Sequence, residues 1–316
     1  MKKGLLITAA VFVAIGVALL AVAYFLSGRD LTKLSGIKYE TNTYTVESDF
    51  NDISIITAET DVVFKPSEDG KFSAVCVEKE KVRHTFSVED GVLKISVDDQ
   101  REWFDHFLFN KSLVMTVFLP LSNYGSLKIE QTTGDVEIPE TFSFTNVDIT
   151  ASTGDVIYSA AATETVKIKT STADIKVNGI NAGNVDLSVS TGDIIAENIC
   201  CEKTLSVKVS TGDATLSDIT CLDLVSTGST GDITMKNVVA SGSINVERST
   251  GDVVFDSCDA ASITVRASTG DVSGTLKSEK VFITKTSTGR INVPKTTTGG
   301  LCEITTSTGD IEVQIA

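Results

Sequence analysis

Aromatic side chains are scarce in this chain, at 6% of 316 residues, and it has only four prolines. Such a composition leaves little material for an aromatic core or rigid proline linkers. No long run of Lys and Arg occurs, and the net charge is −15. Nucleic acid is therefore not expected as a partner, because phosphate binding needs a concentrated positive surface. The only two histidines are His84 and His106. No zinc-ligand spacing, phosphate-binding loop or nucleophile elbow is present, so no catalytic residue, resident metal or cofactor is expected, and the protein reads as a non-enzyme. No Cys stands just after the N-terminal apolar run, so nothing points to a lipoprotein anchor.

Hydrophobic residues make up 41%, enough for a sizeable core. Ser, Thr, Val, Ile, Gly and Asp dominate, a mixture that suits short strands and polar turns better than helices. The exception is the N-terminus. After Met1-Lys2-Lys3, the run from Gly4 to Leu26 (GLLITAAVFVAIGVALLAVAYFL) holds no charge. As a helix it would span roughly 34 Å, against about 30 Å for a bilayer core. Lys2 and Lys3 favour an inside N-terminus, which puts the bulk of the chain outside the cytoplasm. The competing reading is a signal peptide cleaved after Ala21-Val22-Ala23. Because the apolar run continues past that point, an uncleaved single-pass cell-membrane anchor fits better.

Nine glycines recur behind Ser-Thr or Thr-Thr: Gly134, Gly154, Gly192, Gly212, Gly231, Gly251, Gly270, Gly289 and Gly309. Ala173, in STAD, fills the one missing place, and every spacing in the series is 19 or 20 residues. A fixed period of this length is the mark of a solenoid. Apolar residues alternate on both sides of each glycine. Two after it stand Val136, Ile194, Ile233 and Ile311, and five before it stand Ile129, Leu187, Val246 and Ile304. Period-two alternation means strands with one buried face, and a single unit can bury that face only by stacking on its neighbours. The expected fold is an all-β parallel β-solenoid of about ten coils, a rod roughly 45–50 Å long at strand spacing. A β-sandwich is the runner-up, but it would not need so constant a period. The chain divides into an anchor at 1–29, an N-terminal β region and cap at 30–125, and the STGD solenoid at 126–316.

The residue after each glycine forms a column of Asp135, Asp155, Asp174, Asp193, Asp213, Asp232, Asp252, Asp271 and Asp310, with Arg290 as the exception. Stacked carboxylates about 4.8 Å apart repel unless something compensates. Backbone N–H groups and Ser/Thr hydroxyls would make the column structural. The alternative is a row of Ca²⁺ ions, with Asp193, Asp213, Asp232 and Asp252 as candidate ligands. A catalytic reading fits less well, since an active site occurs once and this motif occurs ten times. The stretches at 296–300 (TTTGG) and 226–232 (STGSTGD) look like local variants on the return side of the coil.

Of six cysteines, Cys201, Cys221, Cys258 and Cys302 fall in inward columns and read as small core residues. Cys200 points outward, and neither it nor Cys76 has an evident partner. Between Arg101 and Asn110, the sequence REWFDHFLFN concentrates Trp103, Phe104, His106 and Phe107. These either plug the end of the rod or form a binding loop. The chain ends on STGDIEVQIA, directly after a corner and strand. An uncovered last coil there would invite end-to-end association.

Taken together, the apolar anchor, FNDISIITAETDVVFKPSEDG, DGVLKISVDD, REWFD, VFLP and the serial STGD corners resemble the bacterial "putative adhesin" β-strand-repeat family of unknown function. The resemblance covers most of the chain after about Thr45. It implies surface display as an adhesin or interaction scaffold contacting a protein or envelope component, with no activity or binding residues attached. Related domains accompany Gram-positive envelope stress responses, so the resemblance also allows an accessory or sensor that binds a peptide, lipid or membrane partner. A polysaccharide-active β-helix enzyme is the distant alternative.

Overall fold

The computed structural model describes residues 2–26, 38–100 and 113–316. The apolar run forms α1 (Lys2–Leu26). Over the residues whose side chains are described, no helix is long and apolar enough to cross a membrane. The membrane-spanning expectation therefore rests on the sequence alone.

Everything else that is regular among the described residues is strand, joined into one 25-stranded sheet. From residue 123 onward the pairing is parallel, in register and coil upon coil: Val185 faces Leu205, which faces Leu224, which faces Ile244. These registers form the expected parallel β-solenoid. The inward columns supply its core, with Ile129, Ile168, Leu205, Ile233 and Val265 at 0–1% exposure. Each such side chain gains roughly 1.5–3 kcal/mol by leaving water.

The return half of the coil is more regular than its sequence suggests. Asn198, Asp218, Asn237 and Ser257, six residues after successive corner glycines, all have φ of 52–55°. They form a second left-handed corner, in a conformation that Asn and Asp tolerate better than other side chains. Asn237 Nδ2 donates to Asp218 Oδ1 at 2.7 Å, and Asn198 Nδ2 to Asn178 Oδ1 at 2.9 Å, so this corner too is tied between coils.

Coil order departs from chain order at both ends. Near the N-terminus the strands are β1 (Tyr39–Thr45), β2 (Asp52–Pro66), β3 (Ser73–Lys79), β4 (Val82–Glu89), β5 (Val92–Asp99), β6 (Leu113–Leu119), β7 (Asn123–Thr133) and β8 (Val136–Ile138). On one side β2 pairs with β7 and β8, and on the other with β5 and β6. The first coil in the chain thus lies second in the stack. Antiparallel pairings of β4 with β5, β3 with β6 and β1 with β3 cover the end.

The C-terminal end mirrors this. The later half of strand Val253–Thr269 pairs not with Lys280–Thr288, the next strand in sequence at that place in the coil, but with Gly300–Thr308, which in turn pairs with Lys280–Thr288. The last coil is therefore inserted, and the Gly289 coil ends the rod. The expectation that the chain's last coil lies uncovered is corrected: strand Ile311–Ile315 is paired on both sides. The physical reason lies in the side chains. The Gly309 coil carries Cys302, Ile304 and Ile311, all fully buried. At the matching places the Gly289 coil carries partly buried Phe282 and Thr284, and an Ile291 that is 47% exposed. Placing the more polar coil at the open end leaves less apolar surface in water. Residues 296–300 are the link into the inserted coil. Gly300 there lets the chain pass against the Ala261 carbonyl, which a Cβ would approach to 2.0 Å. Lys280 reaches across to Asp259, Nζ to Oδ1 2.6 Å, and the ammonium end is almost wholly buried.

The swap is directly testable. Thr264 faces Glu303 across neighbouring coils, whereas Ile283 stands one coil further away, about 9–10 Å by strand spacing. Thr264→Cys with Glu303→Cys should form a disulfide under mild oxidation, and Thr264→Cys with Ile283→Cys should not. Non-reducing electrophoresis of proteolytic fragments reads the difference.

Candidate functional site

The corner motif is the most repeated chemistry in the chain, and its geometry shows what the aspartates do. Each offers Oδ1 to the backbone N–H of the next corner in the stack. The series runs without a break from Asp61 through Asp135, Asp155, Asp174, Asp193, Asp213, Asp232, Asp252, Asp271 and Asp310 to Arg290, at 2.7–3.0 Å. Asp61 belongs to Thr57–Asp61 (TAETD), which sits in register with the Gly134 corner as a degenerate copy. The N–H groups supply the compensation that stacked carboxylates need.

Arg290, the one departure, stands on the terminal coil. Among the described residues no further coil offers an N–H beyond it, and its guanidinium instead returns to Asp310 Oδ2 at 2.6 Å. Arg290's backbone N–H, and then its side chain, hold the Asp310 carboxyl below the usual range. The corner glycines are required by close approach. Gly212 has φ 131°, and a Cβ there would lie 2.0 Å from the Gly192 carbonyl oxygen. Ala173, where Gly is replaced, is not among the residues of positive φ.

Among the described residues, three or more metal-ligating groups converge only at Cys76, Glu78 and His84. The calcium candidates Asp193, Asp213, Asp232 and Asp252 form no such group, and each already holds a backbone N–H. Nor is the Cys76 cluster an open coordination site. Glu78 Oε2 accepts from Asn42 Nδ2 and Tyr44 OH, both at 2.7 Å. Its Oε1 accepts from the His84 backbone N–H at 2.6 Å and from Nδ1 at 2.7 Å. His84 Nε2 lies 3.3 Å from Thr57 Oγ1. This carboxylate–imidazole–hydroxyl chain has the order of a catalytic relay, but the Glu78 and His84 side chains have no exposure and Thr57 has 5%. It bolts β3 and β4 to the β2 corner inside a closed interior. Burial alone would push the Glu78 carboxyl up, yet the bonds from His84, Asn42 and Tyr44 override it and hold the group down at about 2. The sequence carried one signal of this network: Glu78 continues the inward phase of Ala74 and Cys76, a charge where an apolar residue is due. Its partners lie up to 36 residues away and leave no local trace.

Trp103, Phe104, His106 and Phe107 lie outside the described residues, so their two readings stay as the sequence left them. The cysteines are all free, with Cys200 exposed and the other five buried. Burial pushes the thiols of Cys76, Cys221 and Cys302 up to about 12, which keeps them protonated and inert. A maleimide should therefore modify Cys200 in the native protein within minutes and reach the other five only after denaturation. Mass spectrometry of the labelled chain counts them.

A continuous parallel stack, a ladder of side chains committed to the coil beneath and a sealed polar bolt define a β-solenoid scaffold. The chain belongs to the Toastrack DUF4097 family, matching it over residues 50–213 and 200–316. No curated protein matches it in sequence. Solved structures similar to it include a "putative adhesin" from Parabacteroides distasonis, at 12% identity over 88% of this chain and 98% of that one (TM-score 0.48). Another "putative adhesin", from Parabacteroides merdae, has 13% identity over 88% and 96% (TM-score 0.44). A "putative lipid binding protein" from Parabacteroides distasonis has 12% identity over 87% and 96% (TM-score 0.40).

Proposed function

We propose that this protein is a non-enzymatic surface scaffold, held at the membrane by its N-terminal segment and presenting the solenoid outside the cytoplasm for adhesion or envelope contact. The observation that carries the reading is how the repeated polar groups are used. The corner aspartates are spent on coil-to-coil bonds, and the one relay-like cluster is sealed. What the rod offers a partner is long, regular outer faces. Anchoring rests on the sequence: the run from Gly4 to Leu26 carries no charge and as a helix would match the thickness of a bilayer core. An uncharged apolar run of this length is stable in hydrocarbon and costly in water.

Cys200 is a natural reporter for the test. A membrane-impermeant maleimide added to intact spheroplasts should label Cys200, and the labelled chain should stay in the membrane pellet through an alkaline wash. Protection of Cys200 until the cells are lysed, or release of the chain by the wash, would overturn the reading.

A further inference from the structure

Single polar residues such as Gln131, Thr170 and Thr306 interrupt the inward columns elsewhere, but around Arg248 three polar or missing side chains fall together on two adjacent coils. Ser226 replaces an aliphatic residue and is fully buried, Gly228 leaves its inward place empty, and Arg248 points inward at 4% exposure. The three fit together. A Cβ on Gly228 would lie 2.0 Å from Arg248 Nη1, so the guanidinium occupies the space that the glycine vacates. Contrary to the sequence reading, the doubled STGSTGD motif is not a variant of the return side. Gly228 lies on the strand before the corner and makes room for an arginine one coil away.

That arginine is poorly satisfied. Nη2 donates to Ser226 Oγ at 3.1 Å, but Nε and Nη1 are buried and have no hydrogen-bond partner among the described residues. Asp213 and Asp232 act on it only through space. A buried guanidinium whose one bond goes to a neutral hydroxyl is expensive to keep, because desolvation of the charge is not repaid by a counter-ion. Elsewhere in this core a buried cation has its anion, as Lys280 has Asp259.

Arg248 also lines a cleft of about 380 Å³, together with Ser210, Ser229 and Ser249, exposed Lys208 and Arg266, and Glu247, whose Oε1 lies 3.6 Å from Arg266 Nη1. In a chain of net charge −15, three cations against one carboxylate give this cleft a local excess of positive charge. We infer that the cleft is a binding site for an oxyanion group, carboxylate or phosphate-like, which pairs with the Arg248 guanidinium while the serine hydroxyls take its remaining lone pairs. Lys208 and Arg266 draw the anion to the mouth, and the cleft's volume allows the anion to be one group of a larger molecule. The site gives the scaffold a chemical preference along an otherwise uniform rod, and it does not depend on how the protein is anchored.

The test uses the full chain in detergent at fixed ionic strength, titrated separately with inorganic phosphate, sulfate and acetate while the thermal midpoint is followed. The wild type should show a saturable rise of a few degrees with at least one of these anions. The acetate arm separates planar carboxylate from tetrahedral oxyanions. Arg248→Met should lose the response. Lys208→Gln with Arg266→Gln changes only exposed residues and so should fold; it should weaken the apparent affinity several-fold. A wild type with no saturable response would overturn the site, as would the same response in Arg248→Met. Should Arg248→Met fail to fold, an unchanged affinity in the double variant would overturn it as well.

Discussion

Gly212→Val is expected to unfold the middle of the solenoid or leave it several kcal/mol less stable. Two effects add. At φ 131° the valine would occupy backbone space that β-branched residues avoid, a strain of about 1–3 kcal/mol. Its Cβ would also stand 2.0 Å from the Gly192 carbonyl oxygen, so the two coils must part locally. Parting them stretches the N–H to Oδ1 bond from Asp213 to Asp193, now 2.8 Å, and the backbone bonds beside it. Because coils touch only their neighbours, damage in the middle divides the rod into two shorter stacks. Thermal unfolding followed by circular dichroism should show a lower and broader transition. Ala173→Gly is the control, since that corner already works without positive φ, and it should shift the midpoint by little.

Glu78→Ala should cost about 4 kcal/mol, because it leaves the buried donors of His84 and the part-buried donors of Asn42 and Tyr44 without their acceptor. Glu78→Gln keeps one acceptor oxygen but turns an amide toward the remaining donors, and should lose about half as much. The same group sets an acid limit. Its folded pKa of about 2 lies below the ordinary carboxylate value of about 4.3, so the folded state favours the ionised form. The stabilisation is therefore complete above about pH 5 and is lost as the pH falls from there through 2. The stacked Tyr44 and Phe86 rings, with centroids 4.4 Å apart, lie beside this network. Their near-ultraviolet signal should fade over that window in the wild type. In Glu78→Gln the carboxylate step should be absent.

Much of the fold was legible because a solenoid writes itself periodically. The 19–20-residue spacing and the alternating columns of Ile, Val and Leu are local consequences of stacking, so the coil count and the inward faces followed directly. The coil order at the ends was not legible in the same way. A parallel stack presents nearly the same register to any neighbour, and period alone cannot say that strand Gly300–Thr308 slips in before Lys280–Thr288. The clues were single residues: Thr284 in an apolar column, Arg290 in the aspartate column and the extra glycine at Gly300. Each makes sense only at an open end or a crossing. The polar sites were the least visible. Glu78 and Arg248 each break an inward phase and could be noticed, but the groups they meet come from strands the sequence does not place together.

The role of the corner aspartates carries the whole account, and one comparison tests it. Asp193, Asp213 and Asp232 are replaced together, once by Asn and once by Ala, and thermal midpoints are measured with Ca²⁺ and with chelator. If the column is a stitch, Asn keeps an oxygen to accept the neighbouring N–H and sheds the repulsion between stacked carboxylates. The Asn variant should then melt within about 2 °C of the wild type, the Ala variant should melt lower by about 5 °C, and Ca²⁺ should move none of the three. A wild type stabilised by Ca²⁺, with the Asn and Ala variants equally impaired and indifferent to the ion, would show that the column binds metal and contradict the account.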